Sequence, residues 1–402
     1  MALALLDVTP LRSSRKFRGL WLGRAFSGFG SQMTIVVVMF QVWQLTGSTV
    51  WTGAVGLAQA LPVIGFGLFA GSVVDRADRR RVYLAAQTGQ AICALILAVQ
   101  GFLGHFPVYG VLLLIAAESC FVTVGGPASR TFIPRLLPES QLPAELALNH
   151  ISFQAAMLIG PAVGGLVLAW LGVGGCYLID AITFGLAFLG AFGLPPMPPD
   201  RDAARPGLGG VLDGLRFLIS HRVVRAALLT DLAATVLAMP ISLFPQVNAE
   251  KFGNDPRTLG LFLSAIAVGG VLASVFSGTF TRRSRLGLVM LVASATWGAA
   301  LALFGVVPGA WLGLCCLVIA GAADTISVVA RGTIVQAGTP DHLRGRVSAA
   351  EQIVGQAGPD IGNLRAGLVA RLTSGPVALL SGGLTCLAAV ALVGATTREL
   401  RN

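Results

Sequence analysis

Among the charged side chains inside long apolar stretches of this 402-residue chain, seven stand out: Arg24, Glu118, Asp180, Asp231, Asp324, Asp360 and Arg365. Burying a charge among apolar groups is costly, so such a residue faces a polar cavity, meets a partner, or titrates. Carboxylates suit proton loading, because desolvation lets protonation compete with ligand occupancy. Asp231, Glu118 and Asp360 are the leading candidates for that role. Asp360 and Arg365 are five residues apart, a poor spacing for a same-face helical pair, so each should find its partner on another helix. The six cysteines fall inside apolar runs without metal-ligand spacing and read as small packing residues. No His, Cys or acid cluster has catalytic or metal-binding spacing, and no Gly-x-x-x-x-Gly-Lys-Ser/Thr loop is present. Those patterns argue against an enzyme, an ATP-driven pump, a metal site or an organic cofactor. A proton gradient is the expected energy source.

The elements that carry these charges are apolar runs of membrane-spanning length. Hydrophobic residues make up 55% of the chain and charged residues 11%, too little charge to cover a soluble protein of this size. Runs of about 20 apolar residues, each able to cross a hydrocarbon core as a helix, recur throughout. The expected spans are 20–42, 51–73, 82–102, 108–130, 146–169 and 174–194, then 223–246, 259–280, 286–306, 311–331, 347–371 and 377–396. The first follows Arg12, Arg15, Lys16 and Arg18 and reads as an uncleaved helix. The 51 glycines suit close helix packing in lipid.

The net charge of +10 would suit nucleic-acid binding in a soluble protein, but here the basic residues cluster in connectors. With the N-terminus inside, 23 of the 28 Lys and Arg fall on the cytoplasmic side, leaving Lys251, Arg257 and Arg371 outside and Arg24 and Arg365 within spans. This bias predicts a multi-pass protein of the cytoplasmic (inner) membrane with both termini cytoplasmic, lipid as its surroundings and no nucleic-acid partner. Pro195, Pro196, Pro198 and Pro199 end the sixth run, and an amphipathic stretch follows from Leu208 to Ser220. The expected organisation is a cytoplasmic segment 1–19, a six-helix bundle 20–194, a cytoplasmic linker 195–222, a second bundle 223–396 and a tail 397–402.

The two halves repeat. Arg130-Thr131-Phe132-Ile133 and Pro138-Glu139-Ser140-Gln141-Leu142 in the first correspond to Arg331-Gly332-Thr333-Ile334 and Pro340-Asp341-His342-Leu343 in the second. Gly160-Pro161-Ala162-Val163-Gly164-Gly165 corresponds to Gly358-Pro359-Asp360-Ile361-Gly362-Asn363. Two parallel six-helix repeats belong to alternating-access transporters rather than channels.

On these features the chain resembles the major facilitator superfamily. Gly71-Ser72-Val73-Val74-Asp75-Arg76-Ala77-Asp78-Arg79-Arg80 matches that family's loop motif after the second span, except that Asp78 stands where the family usually has Gly. Phe17-Arg18-Gly19-Leu20-Trp21-Leu22-Gly23-Arg24, Gly214-Leu215-Arg216-Phe217-Leu218 and Thr339-Pro340-Asp341-His342-Leu343-Arg344-Gly345-Arg346-Val347 are similar to the enterobactin-exporter and macrolide-efflux group. The resemblance implies an all-α membrane fold with twelve transmembrane helices. It also implies an inside latch built on Gly71, Asp75, Arg76 and Arg79, with Arg130 as the partner of Asp75. Gly160, Pro161, Gly164 and Gly165 resemble the family's antiporter motif, a grooved and bent helix that packs closely on a neighbour. Glu118 and Asp324 fall on fourth helices, which line the central cavity in this family, and the Tyr-Leu-Ile run before Asp180 recurs in relatives of the group and points to a structural role.

Gln32, Met33, Met39, Phe153, Gln154 and Met157 offer a greasy surface with a few polar contacts, or equally ordinary packing. Trp43, Trp51, Trp170 and Trp311 fall near outer span ends, as interfacial anchors do. The expected activity is export of a bulky, partly hydrophobic small molecule, siderophore or drug-like, by proton antiport from a monomer. Proton-coupled uptake of a metabolite is the alternative. A sugar or organic-anion carrier would place more polar or cationic groups in its cavity than this chain has.

Overall fold

The computed structural model describes residues 7–104, 107–198, 215–276, 285–340 and 343–400, with backbone alone at 67–76, 130, 344–345, 348–350, 352–353 and 356. Among the described residues, apolar runs fold into twelve helices of eight or more residues. They are α1 Arg15–Thr46, α2 Thr49–Arg76, α3 Arg79–Leu103, α4 Val108–Arg130, α5 Leu142–Phe192 and α6 Arg222–Ala238, followed by α7 Phe244–Lys251, α8 Pro256–Val275, α9 Leu286–Val306, α10 Ala310–Gly338, α11 Arg344–Leu372 and α12 Gly375–Thr396. Among the described residues every regular element is helical.

Local chemistry sets the boundaries. Asp78 starts α3, its Oδ1 accepting from the backbone N of Arg80 at 2.9 Å and of Arg81 at 3.2 Å. Asp255 starts α8 by accepting from the backbone N of Arg257, with Pro256 in the first turn. The longest helix, α5, has 51 residues, about 77 Å of rise and far more than one membrane crossing needs. It consists of two arms that meet at Gly172, whose φ of 67° and ψ of −173° suit only glycine. The sequence predicts two spans here, 146–169 and 174–194, and Gly172 lies between them. The predicted helix 223–246 is instead broken: α6 ends at Ala238, Pro240 follows, and a 3-10 turn at Ile241–Leu243 leads into α7.

Among the described residues, ten segments are long and apolar enough to cross a membrane, Glu139–Phe192 and Arg222–Lys251 each counting once. The 29-residue α11 is not among them, because Glu351, Asp360, Asn363, Arg365 and Arg371 make it too polar. The chain is a multi-pass, all-α membrane protein.

Two compact units divide the chain, the first formed by Met1–Val38 and Leu61–Arg205, the second by Met39–Ala60 and Pro206–Asn402. In the first unit α3 packs along α5 and α4. Leu20, Tyr83, Ala128, Phe132, Ala191, Leu194 and Met197 form a buried cluster at one end, with Tyr83 and Phe132 edge-to-face at 5.5 Å. In the second unit α10 packs on α8 and α9, while α12 packs on α9 and α6. Phe244, Phe262 and Phe304 meet there edge-to-face at 5.4–5.8 Å.

Candidate functional site

In the first unit, Asp180 on the second arm of α5 is 1% exposed. Its Oδ2 accepts from Thr34 Oγ1 of α1 at 2.6 Å, and its Oδ1 accepts from Thr183 Oγ1 at 3.3 Å. These two hydroxyls hold the buried carboxylate between α1 and α5. Glu118 of α4 lies within electrostatic reach of Asp180, and both act on Tyr177. Two sequence-predicted acids therefore share one interior region. Glu145, at the start of α5, is also 1% exposed and accepts from Asn149 Nδ2, with the half-buried Arg24 as the cation acting on it. Glu145 falls one residue outside the predicted span 146–169, where a charge gives no signal against an apolar background.

The Gly-Pro helix lies against α1. Gly160, Pro161, Gly164 and Gly165 are all buried. A Cβ on Gly164 would stand 3.0 Å from both Cα and O of Met33, and one on Gly160 would stand 2.6 Å from Gln32 Cβ. Glycine lets the two backbones approach this closely. Met33 fills that groove at 2% exposure, and Met39 is 5% exposed, so both are packed interior residues here. Phe153 is exposed, while Gln32, Gln154 and Met157 are half-buried.

In the second unit, Arg331 of α10 ion-pairs with Asp231 of α6, and its Nε lies 3.3 Å from Oε1 of Glu351 on α11. Asp324, half-buried on α10, feels both Asp231 and Arg331 electrostatically. Neither Arg331 nor Glu351 is among the sequence-predicted site residues. Arg331 reads there as a topological charge at a helix end, whereas the repeat that aligns it with Arg130 marks it as a special position.

Arg365 donates from a terminal guanidinium nitrogen to the Leu237 carbonyl, near the end of α6. Its partner is thus on another helix, as its spacing from Asp360 implies. Asp360 is half-buried on α11 and backs onto Gly56 of α2, where an added Cβ would stand 3.1 Å from the Asp360 Cα. A buried polar network joins the same elements: Thr49 Oγ1 donates to Gly367 O at 2.8 Å, Thr52 Oγ1 to Ser242 O at 2.7 Å, and Ser242 to Asn363.

The side chains of the expected latch, Asp75 and Arg76 with Arg130, lie outside the described residues, as does the surrounding of Gly71. The neighbouring Asp78 and Arg79 are described. Asp78 Oδ2 accepts from Met197 N at 3.2 Å, and Arg79 N donates to Met197 O at 3.0 Å. The acid that departs from the family's glycine therefore ties the start of α3 to the stretch after α5. Trp170 and Trp311 are 72% and 82% exposed, as lipid-interface anchors would be, whereas Trp297 is buried and donates to Ala234 O.

The transmembrane secretion effector family matches residues 7–400. The enterobactin exporter EntS of Shigella boydii serotype 18 is 28% identical over 357 residues, covering 88% of this chain and 85% of that protein. Its counterpart in Escherichia coli is 27% identical over the same lengths. Among solved structures, the nucleoside transporter NupG superimposes with a TM-score of 0.75 at 16% identity, covering 94% of this chain and 98% of that one. A bacterial homologue of the iron transporter ferroportin in its inward-facing state gives 0.69 at 16% identity, with 96% and 99% covered. These likenesses in structure carry the fold. The family match over nearly the whole chain carries membership: this protein belongs to the transmembrane secretion effector family of major facilitator superfamily transporters, and not to an enzyme family.

Proposed function

We propose that this protein is an inner-membrane exporter that moves a bulky, partly hydrophobic small molecule outward in exchange for protons, by alternating access and as a monomer. Its twelve spans form two parallel bundles, 20–194 and 223–396, with the linker 195–222 and both termini cytoplasmic. The two arms of α5 supply two of those spans, α6 with α7 one, and α11 another. The cargo is a siderophore of the catechol type or a drug of comparable size. The observation that carries direction and cargo is the likeness to enterobactin exporters across 88% of the chain.

Two features support the mechanism. The groove of Gly160 and Gly164 against α1 suits a helix pair that seals a path when bundles rock. The interior carboxylates Glu118, Asp180, Asp231, Asp324 and Asp360 supply more negative charge than Arg24, Arg331 and Arg365 offset, which suits a chain that takes up protons. Asp75, Arg76 and Arg79 with Arg130 and Gly71 act as the inside latch, and Gln32, Phe153, Gln154 and Met157 serve the cargo path, whereas Met33 and Met39 are packed.

Inside-out vesicles with an imposed proton gradient test the reading. Iron-free enterobactin and a macrolide are offered separately. Accumulation of one of them, abolished when a protonophore collapses the gradient, is the expected result. Accumulation only in right-side-out vesicles would establish uptake instead, and no movement of either cargo would overturn the substrate class.

A further inference from the structure

Three helices of the second unit bring charge to one point. Arg331 of α10 stands between Asp231 of α6, with which it ion-pairs, and Glu351 of α11, whose Oε1 is 3.3 Å from its Nε. The three side chains keep only 11%, 7% and 16% of their surface exposed, in the order Arg331, Asp231, Glu351. Asp324 adds a third acid, seven residues before Arg331 on the same helix. One guanidinium offsets one carboxylate, so a fully ionised cluster would bury net negative charge, which desolvation disfavours.

Among the described residues, several cations on the surrounding helices are engaged elsewhere. On α6 itself, Arg222 pairs with Glu399 and Arg225 donates to Ile219 O, both at the helix start. On α11, Arg365 is held by Leu237 O. Asp360 is nine residues from Glu351, about 14 Å along the helix. The packed faces of α9 and α12 carry no charged residue, and the thiol of Cys386 on α12 points to Ser294 O at 3.8 Å. On α10, Cys315 and Cys316 lie eight or more residues from Asp324.

We propose that Arg331 is the switch of a proton relay in which Asp231 anchors the guanidinium and Glu351 loads the exchanged proton. This assignment rests on the antiport reading and adds Arg331 and Glu351 to it. When Arg331 turns wholly to Asp231, Glu351 loses its cation and an O–H bond forms on its carboxylate, the proton coming from water on the outer side. When Arg331 swings to Glu351, that O–H bond breaks and the proton leaves to cytoplasmic water. The guanidinium stays protonated throughout. The same Arg331 is close enough to contact both acids, which makes the exchange a rotamer change rather than a helix displacement.

Infrared pH titration of the purified protein in lipid nanodiscs tests the relay without any cargo. The wild-type spectrum should contain a protonated-carboxyl band that is missing from Glu351→Gln and returns in Glu351→Asp. Asp231→Asn should also lose that band, because Arg331 then commits to Glu351 and keeps it ionised. A merely structural ion pair would leave the Glu351 band unaffected by Asp231→Asn, and that result overturns the relay. Transport of enterobactin is measured beside it. Glu351→Gln should keep cargo counterflow yet lose gradient-driven accumulation. Wild-type accumulation by Glu351→Gln overturns the relay and leaves antiport standing. Gradient-independent accumulation by the wild type overturns antiport, and the relay with it. If enterobactin is not moved but the bands behave as stated, the cargo assignment fails and the relay stands.

Discussion

Asn363 holds Ser242 from two sides. Its Oδ1 accepts from the Ser242 backbone N at 3.0 Å, and its own carbonyl accepts from Ser242 Oγ at 2.8 Å. Ser242 sits just past Pro240, where α6 has ended and its backbone groups have lost their helical partners. In a membrane no water replaces those partners, so side chains from other helices must. Asn363 does so for Ser242 and Arg365 for Leu237, while Trp297 adds a second donor to the carbonyl of Ala234 inside the helix. Thr52 of α2 donates to the Ser242 carbonyl from the other direction. The break in α6 is thus a pinned joint, with α2 and α11 holding it.

Removing the pin should be measurable. Asn363→Ala leaves the N–H of Ser242, itself 0% exposed, without its acceptor, a loss of about 1–3 kcal/mol. Thr49→Val removes a single bond to Gly367 and should cost about 0.5–1.5 kcal/mol. Thermal unfolding in detergent should rank wild type above Thr49→Val and Thr49→Val above Asn363→Ala. An Asn363→Ala protein as stable as wild type would show that the joint does not depend on this side chain.

The groove on α5 makes a second, sharper claim. Gly164→Val puts a Cβ 3.0 Å from the Met33 backbone, and backbone cannot move aside as a side-chain tip can. The expected loss is about 1–3 kcal/mol, with transport abolished because α1 is displaced. Gly28, on the same α1, has open space around an added Cβ. Gly28→Ala should therefore be neutral or stabilising by up to about 1 kcal/mol. Equal loss of function in the two variants would mean that the groove contact is not what matters.

How far these features were legible in the sequence depends on the kind of signal. Apolar run length and the arginine bias mark membrane helices directly, because lipid imposes both. The glycine groove was legible as a pattern, although only the structure supplies its partner, Gln32 and Met33 of α1. The charge cluster was half legible. Asp231 stands out as an acid in an apolar run, but Arg331 hides among topological arginines and Glu351 lies on α11, whose many polar residues blunt its contrast. Pairing across helices depends on tertiary packing, which no local spacing encodes. The break after Ala238 was missed because the apolar run continues through Pro240, and the run outweighed the proline in choosing 223–246 as one helix.

Asp180 and Glu118 should respond differently to neutralisation. Asp180 is 1% exposed and accepts from Thr34 and Thr183, so Asp180→Ala strands the buried Thr34 hydroxyl, although Thr183 keeps its bond to the residue-180 carbonyl, and should lower the yield of monodisperse protein. Thr34→Val leaves one carboxylate oxygen short of its donor and should show a milder form of the same defect. Glu118→Gln retains size and hydrogen-bonding capacity at a half-buried position and should fold normally. Fluorescence-detected size exclusion separates the three. A well-behaved Asp180→Ala protein would remove the structural role and return Asp180 to the proton path.

Asp78 offers a graded test of what this chain gains from departing from the family's glycine. Its Oδ1 caps α3 through Arg80 N and Arg81 N, while Oδ2 accepts from Met197 N. The two oxygens thus do separate jobs. Asp78→Asn keeps an oxygen for the cap but replaces the second acceptor with an amide that cannot accept, so the helix should hold while Met197 is released. Asp78→Ala loses both, at about 1 kcal/mol for the cap alone. Asp78→Gly restores the family residue, and because glycine is tolerated at an N-cap it should cost only a few tenths of a kcal/mol there while also freeing Met197. Limited proteolysis at the stretch 195–198 reads the tie, and thermal unfolding reads the cap. All three variants should be cut faster than wild type, whereas only Asp78→Ala should unfold at clearly lower temperature. Cutting at the wild-type rate in Asp78→Asn would show that the backbone bond from Arg79 N to Met197 O holds that stretch without help from the carboxylate.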